Sequence, residues 1–144
     1  MEAKRKNARS RTVTTSDEAL MAVFIGAMNA NGHVAREELA RAHHLIWSTR
    51  RFRRKSGEAV GRLVDRTKTV LEEQDPNAVV ELAAKTIPEH LRPSSFAIVT
   101  DLLLADGHLD AKERKFLRRL AAHLGIDTDQ AARVIDVMLV KNRL

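Results

Sequence analysis

The stretch Ala105-Asp106-Gly107-His108-Leu109-Asp110-Ala111-Lys112-Glu113 reads as a turn between two helices. A fainter copy stands 75 positions earlier, from residue 30 to residue 38: Ala30-Asn31-Gly32-His33-Val34-Ala35-Arg36-Glu37-Glu38. In the second copy Gly107 sits where a residue of positive φ closes a helix. Asp110 is then the N-cap of the next helix, and Glu113, three residues on, completes a capping box. The first copy keeps Gly32 and Glu38 but has Ala35 at the cap, a residue with no side-chain oxygen to accept a backbone bond.

The likeness extends outward from the turn. At the same offset Met21 aligns with Phe96, Val23 with Ile98, Phe24 with Val99 and Met28 with Leu103. Beyond the turn Leu45 aligns with Leu120 and Ile46 with Ala121. Two repeats are too few for an open solenoid. They fit two halves packed face to face about a pseudo-two-fold axis.

Helical periodicity fills in the rest. Ser16 is placed as an N-cap with Asp17 and Glu18 in the first turn, where the helix dipole favours acids. Leu20, Met21, Phe24, Ile25 and Met28 then share one face, and Gly32 ends the helix. A second helix runs from Arg36 to Thr49 with Leu39, Ala42, Leu45 and Ile46 as its apolar stripe. Ser56 caps a third, with Val60, Leu63, Val64, Thr67 and Leu71 inward. Asp75-Pro76 restarts the chain as a cap followed by proline at the first helical position. That short fourth helix stops at Ile87-Pro88, since proline disfavours helix in the residue before it. Pro93 begins a fifth, apolar nearly all round apart from Asp101, a pattern that predicts a central buried helix. The sixth runs from Ala111 to Leu124 and closes at Gly125; Asp127 caps the seventh, with Val134, Ile135, Met138 and Leu139 inside. The expectation is an all-α compact bundle of about seven helices in one domain, residues 16–144, preceded by a disordered basic arm, residues 1–15.

Composition agrees. The 144 residues are enough for one core. Aromatic residues make up only 3%, so Leu, Val, Ile, Ala and Met must fill it. There is no cysteine, which removes disulfides, thiol catalysis and Cys-ligated zinc. No apolar run approaches the ~20 residues of a spanning helix, and the N-terminus lacks the apolar segment of a secretory signal. A cytoplasmic protein is therefore expected. The formal charge of +6 is unevenly placed. Lys4, Arg5, Lys6, Arg9 and Arg11 form one cluster, and Arg50, Arg51, Arg53, Arg54 and Lys55 another. Outside these ten cations and Glu2, 15 basic residues face 18 acidic ones, so the basic character belongs to two patches and not to the fold.

Chemically, Asp106-Gly107-x-Leu109-x-x-x-Glu113 matches the second half of an EF-hand loop. The loop's first two acidic positions would fall on Leu102 and Leu104, or on Ala27 and Asn29 in the first copy, which excludes an EF-hand. The capping box accounts for Asp110 and Glu113. Asp106 and Glu38 are surplus to it, and an acid at a helix C-terminus such as Asp106 opposes the helix dipole and calls for a cation nearby. His33 and His108 occupy matching places and read as exposed turn residues, since no close His or Cys spacing supports a zinc site. Asp101 needs an arginine partner or a place at a solvent-facing edge, because a buried carboxylate requires partners.

At these residues the chain resembles the TerB family of tellurite-resistance proteins. The likeness rests on Ala105-Asp106-Gly107-x-Leu109-x-x-x-Glu113, on Phe116-Leu117 and on Leu120-Ala121-x-x-Leu124-Gly125-Ile126. The weaker first copy and Phe52-Arg53-Arg54-Lys55-Ser56-Gly57-Glu58 are similar too, so that it spans roughly residues 17–140. The resemblance implies a compact all-α domain of two related halves and a role in bacterial stress response, with protein partners. It also implies candidate ligands for a divalent cation (Ca²⁺, Mg²⁺, Mn²⁺ or Zn²⁺). Carried over position by position these are Asp106 and Glu113 from the second half, and Glu38 and Asn31 from the first. Asn31 stands where an aspartate is expected and brings no charge.

Three function classes follow. The leading one is a cation-binding or protein-interaction module of a stress-response system. The second is a binder of anionic surfaces, nucleic acid or lipid, through the basic arm and Arg50–Lys55, with Phe52 free to stack or insert. An enzyme is not expected: there is no serine–histidine–acid spacing, phosphate-cradling glycine loop or HExxH motif.

Overall fold

The computed structural model describes residues 13–30 and 36–144, apart from the side chains of residues 36–39 and 41. Among these residues there are eight α-helices, one short 3-10 helix and no strand. They are α1 (Ser16–Met28), α2 (Arg36–Ser48), α3 (Arg50–Arg53), α4 (Gly57–Glu73), α5 (Pro76–Thr86), α6 (Arg92–Leu103), α7 (Ala111–His123) and α8 (Thr128–Lys141). The 3-10 turn Glu89–Leu91 leads straight into α6. The all-α expectation holds; the eighth helix is α3, the single turn made by the basic run.

Most of the helix ends follow from side-chain chemistry. Ser56 accepts the Ala59 N–H at 3.1 Å, Asp75 the Asn77 N–H at 3.3 Å and Asp127 the Gln130 N–H at 2.8 Å. Each satisfies a first-turn amide that has no intrahelical partner. Gly125, at φ +69°, closes α7: its N–H reaches Ala122 O at 3.1 Å, and Ile126 N–H reaches Ala121 O at 2.9 Å, the Schellman pattern. The start of α1 differs from expectation. Its cap is Thr15, whose hydroxyl accepts the Glu18 N–H at 3.1 Å, while Glu18 Oε2 takes the Thr14 N–H at 3.0 Å. Val13 is buried, so the folded part begins ahead of Ser16. Residues 1–12 of the expected basic arm lie outside the described residues. At its other end α1 stops at Met28 with Asn29 as C-cap; Gly32, its expected terminator, lies outside the described residues.

Helix α1 is the centre of the molecule. Every residue from Ala19 to Met28 is buried, not one face of it. The reason is that α4, α5 and α6 all pack around it. Gly26 permits a close approach of α5: a Cβ there would stand 2.6 Å from Val80 Cγ2. The repeat is visible in the elements themselves, since α2 shifted by 75 positions coincides with α7, and α1 with α6. Met21 and Phe96, Phe24 and Val99, and Met28 and Leu103 are buried pairs. Helix α4 lies against α1, and α8 against α6, so these two occupy related places in the two halves. Val134, Ile135, Met138 and Leu139 of α8 are only partly buried, and Ala131 is the buried residue of that helix.

A buried matched position also differs between the halves. Where α1 has Gly26, α6 has Asp101, 5% exposed. Lys141 Nζ donates to both of its oxygens at 3.1 Å, and Asn142 Nδ2 donates to Oδ1 at 2.9 Å. Lys141 and Asn142, at the end of α8, are thus among its partners.

Candidate functional site

The repeated turn comes first, because the sequence points there. Helix α6 ends at Leu103 and one further turn carries the chain to Gly107, at φ +91°, whose N–H bonds Leu104 O at 2.9 Å. Asp110 Oδ1 accepts the Glu113 N–H at 2.7 Å, and Glu113 Oε1 accepts the Asp110 N–H at 3.0 Å. The expected capping box is thus complete, and Glu113 is 3% exposed. Asp106 is exposed; its Oδ1 accepts the His108 N–H at 3.4 Å and its Oδ2 lies 3.8 Å from His108 Nε2. An Asx-type turn with a histidine beside it gives Asp106 a local role at this helix end.

These donors do not fit a cation site by themselves. The oxygens of Asp110 and Glu113 that face the turn are taken by backbone amides, and among the described residues no three His, Cys, Asp or Glu side chains converge. A hard cation wants six or more oxygens. One held beside Asp106 would have to draw on Asn31 and Glu38. Asn31 and His33 lie outside the described residues, and the Glu38 side chain does too.

The basic run makes a more developed feature. Thr49 accepts the Phe52 N–H at 3.4 Å and starts the four-residue helix α3. This turn drives Phe52 inward to 1% exposure, edge-on to Phe24 with ring centroids 6.4 Å apart. Phe52 is therefore a core residue and not a stacking or inserting one. It anchors the arginines around it, which the turn leaves on the surface. Two of the cations share one acid: Arg51 Nε donates to Asp17 Oδ1, and Lys55 Nζ lies 2.9 Å from Asp17 Oδ2. Burial alone would raise the Asp17 carboxyl. The hydrogen bonds and charges of Lys55 and Arg51 outweigh it and hold Asp17 below the ordinary aspartate value.

Arg50 and Arg54 have no such acid among the described residues. They stand four apart on one helical turn, with Arg54 still in αR geometry, and so share a face. That face borders a groove of about 580 Å³. It is lined by the buried trio Leu20, Phe24 and Phe52, by Leu91 of the 3-10 turn and by Ile98 of α6. Thr49 and Ser95 turn their hydroxyls to backbone carbonyls, Ile46 O and Leu91 O, both at 2.7 Å. No carboxylate lines the groove among the described residues. The result is an apolar hollow with a cationic lip. Sequence reading flagged the arginines but not the hollow; the buried aromatic inside a basic run was the available signal.

No described helix is long and apolar enough to cross a membrane. Neither the curated proteins nor the solved structures contain a match to this chain. The profile of the family described as "Tellurite resistance protein TerB" does match, over residues 17–136. That span takes in both copies of the turn, both pairs of related helices and the arginine turn between them, and on it the chain belongs to the TerB family of tellurite-resistance proteins.

Proposed function

We propose that this protein is a non-catalytic binding module of a bacterial stress-response system of the tellurite-resistance type, and that its working surface is the arginine-lipped groove, where it holds an anionic group. One observation carries the reading. Arg50 and Arg54 sit on the same face of one turn, next to an apolar hollow, while the neighbouring Arg51 and Lys55 share Asp17. Like charges at i and i+4 repel by a few tenths of a kcal/mol. An arginine pair left in that arrangement is suited to a planar anion, which each guanidinium can grip with two parallel N–H bonds. The expected stress-system role and its protein partners rest on the family. The divalent-cation reading is set behind, because the capping box and the Asx turn already use the described acids.

The test is complementation in a bacterial host whose tellurite tolerance depends on this protein. The Arg50→Gln/Arg54→Gln variant should reach the same cellular level as the unchanged chain, since both positions are exposed, and should fail to restore tolerance. Full restoration at equal protein level would remove the groove from the function.

A further inference from the structure

The shape of the groove narrows what it takes. We infer that its ligand is a single amphipathic molecule, an unbranched apolar chain ending in a carboxylate, bound as a monomer. This rests on the anion-binding reading above and names the ligand class for that site.

Four features of the groove support the assignment. The first is polarity. All the cationic groups come from the one turn 50–54, whereas the apolar Leu91 and Ile98 come from other elements, the 3-10 turn and α6. The charge of a ligand must therefore lie at one end and apolar matter at the other. A partner helix with acids spread along it would find cations on one side only. The second is depth. Leu20, Phe24 and Phe52 are each no more than 6% exposed and line the same groove as the exposed arginines. A bilayer binder presents apolar side chains that protrude; here they line a hollow, which receives a chain and does not insert into one.

Size is the third. About 580 Å³ lies within the range that small-molecule sites occupy, roughly 300–1,000 Å³. The fourth is the shortage of polar groups inside. Of the three hydroxyls that line it, those of Thr49 and Ser95 are committed to carbonyls and that of exposed Ser94 is left, so a tail rich in hydroxyls or amides would go largely unmatched there. Such a site loses affinity when polar groups are left unpaired. The Arg50 and Arg54 guanidiniums grip the carboxylate, and the tail lies over the Phe24–Phe52 edge contact toward Ile98.

The experiment uses the full chain and sodium decanoate, kept below its micelle concentration and titrated by calorimetry and by amide NMR. Butyrate, inorganic phosphate, 1-octanol and anionic phosphatidylglycerol vesicles are the comparison ligands. Decanoate should bind with shifts at residues 49–54 and 91–98. Butyrate and octanol should each be at least tenfold weaker, one lacking the tail and the other the charge. Arg50→Gln/Arg54→Gln and Ile98→Asn should each weaken decanoate at least tenfold with the unfolding midpoint retained. Should Ile98→Asn fail to fold, Ile98→Ala with the same decanoate-to-butyrate comparison replaces it.

Phosphate or butyrate binding as tightly as decanoate would overturn the inference and leave the anion-binding reading intact. Octanol equalling decanoate, with no effect of the arginine variant, would overturn both. So would the absence of binding by every anion. Binding to vesicles without binding to monomeric decanoate would make the site a membrane surface and overturn the inference.

Discussion

Replacing Gly26 by alanine tests the packing on which the whole bundle depends. The new Cβ would lie 2.6 Å from Val80 Cγ2. Carbon atoms pack best at about 3.5–4.0 Å, so α1 and α5 would have to part by roughly 1 Å or Val80 would have to leave its rotamer. Val80 is β-branched and buried, with little room to turn. Overpacking of this kind costs about 1–3 kcal/mol. Against it stands the helix preference for alanine over glycine, about 1 kcal/mol in a helix interior. The single variant should therefore lose between about 0 and 2 kcal/mol. The sharper reading comes from repeating the change in a Val80→Ala background, where Cγ2 is absent. There Gly26→Ala should stabilise by about 1 kcal/mol, because only the propensity gain remains. Urea unfolding of the four proteins gives the coupling directly. A coupling of about 1–3 kcal/mol is expected; one below about 0.5 kcal/mol, near the usual limit of additivity, would mean that Gly26 does not set the α1–α5 separation.

Two further outcomes follow from the caps and the ion pairs. Asp110→Ala removes one side of the capping box and should cost about 1 kcal/mol by chemical denaturation, while Asp110→Ser should keep most of it; equal losses for both would refute the cap. Asp17 has a lowered pKa in the folded protein, so the unfolded chain binds its proton more readily. Its contribution is present above the unfolded value, about pH 4, and is lost as pH falls through the folded one. The gap in denaturation midpoint between the unchanged chain and Asp17→Asn should hold at neutral pH and close in acid; a gap that widened in acid would contradict the Arg51 and Lys55 pairing.

What could be read from the sequence was local chemistry. Ser56, Asp75-Pro76, Asp110 and Asp127 each mark a helix start because a short polar side chain must reach an amide two or three residues on, a requirement written in adjacent letters. The repeat was legible because equal offsets keep equal faces inward. Thr15 was missed as a cap because Thr14, Thr15 and Ser16 are chemically similar, and the choice falls to whichever hydroxyl meets the Glu18 amide. Full burial of α1 could have been read, since no polar side chain occurs from Ala19 to Met28. The inward turn of Phe52 could not be read from periodicity, as a four-residue helix has none. The groove was hidden for a different reason. Leu20, Phe52 and Ile98 come from three separate helices, and only the packing of α1, α3 and α6 brings them to one hollow.

The clasp of Lys141 and Asn142 on Asp101 bears on where this domain can be cut. The family likeness stops at residue 136, which is the natural place to trim a gene or graft the domain onto another protein. A chain ending there would lose the ammonium on both oxygens of a carboxylate 5% exposed, along with the Asn142 amide on one of them. A hydrogen bond to a charged group is worth about 1.5–3 kcal/mol, a noticeable share of the stability of a small domain. The unit that folds thus extends past the unit that is recognisably inherited, and any minimal version must reach Asn142.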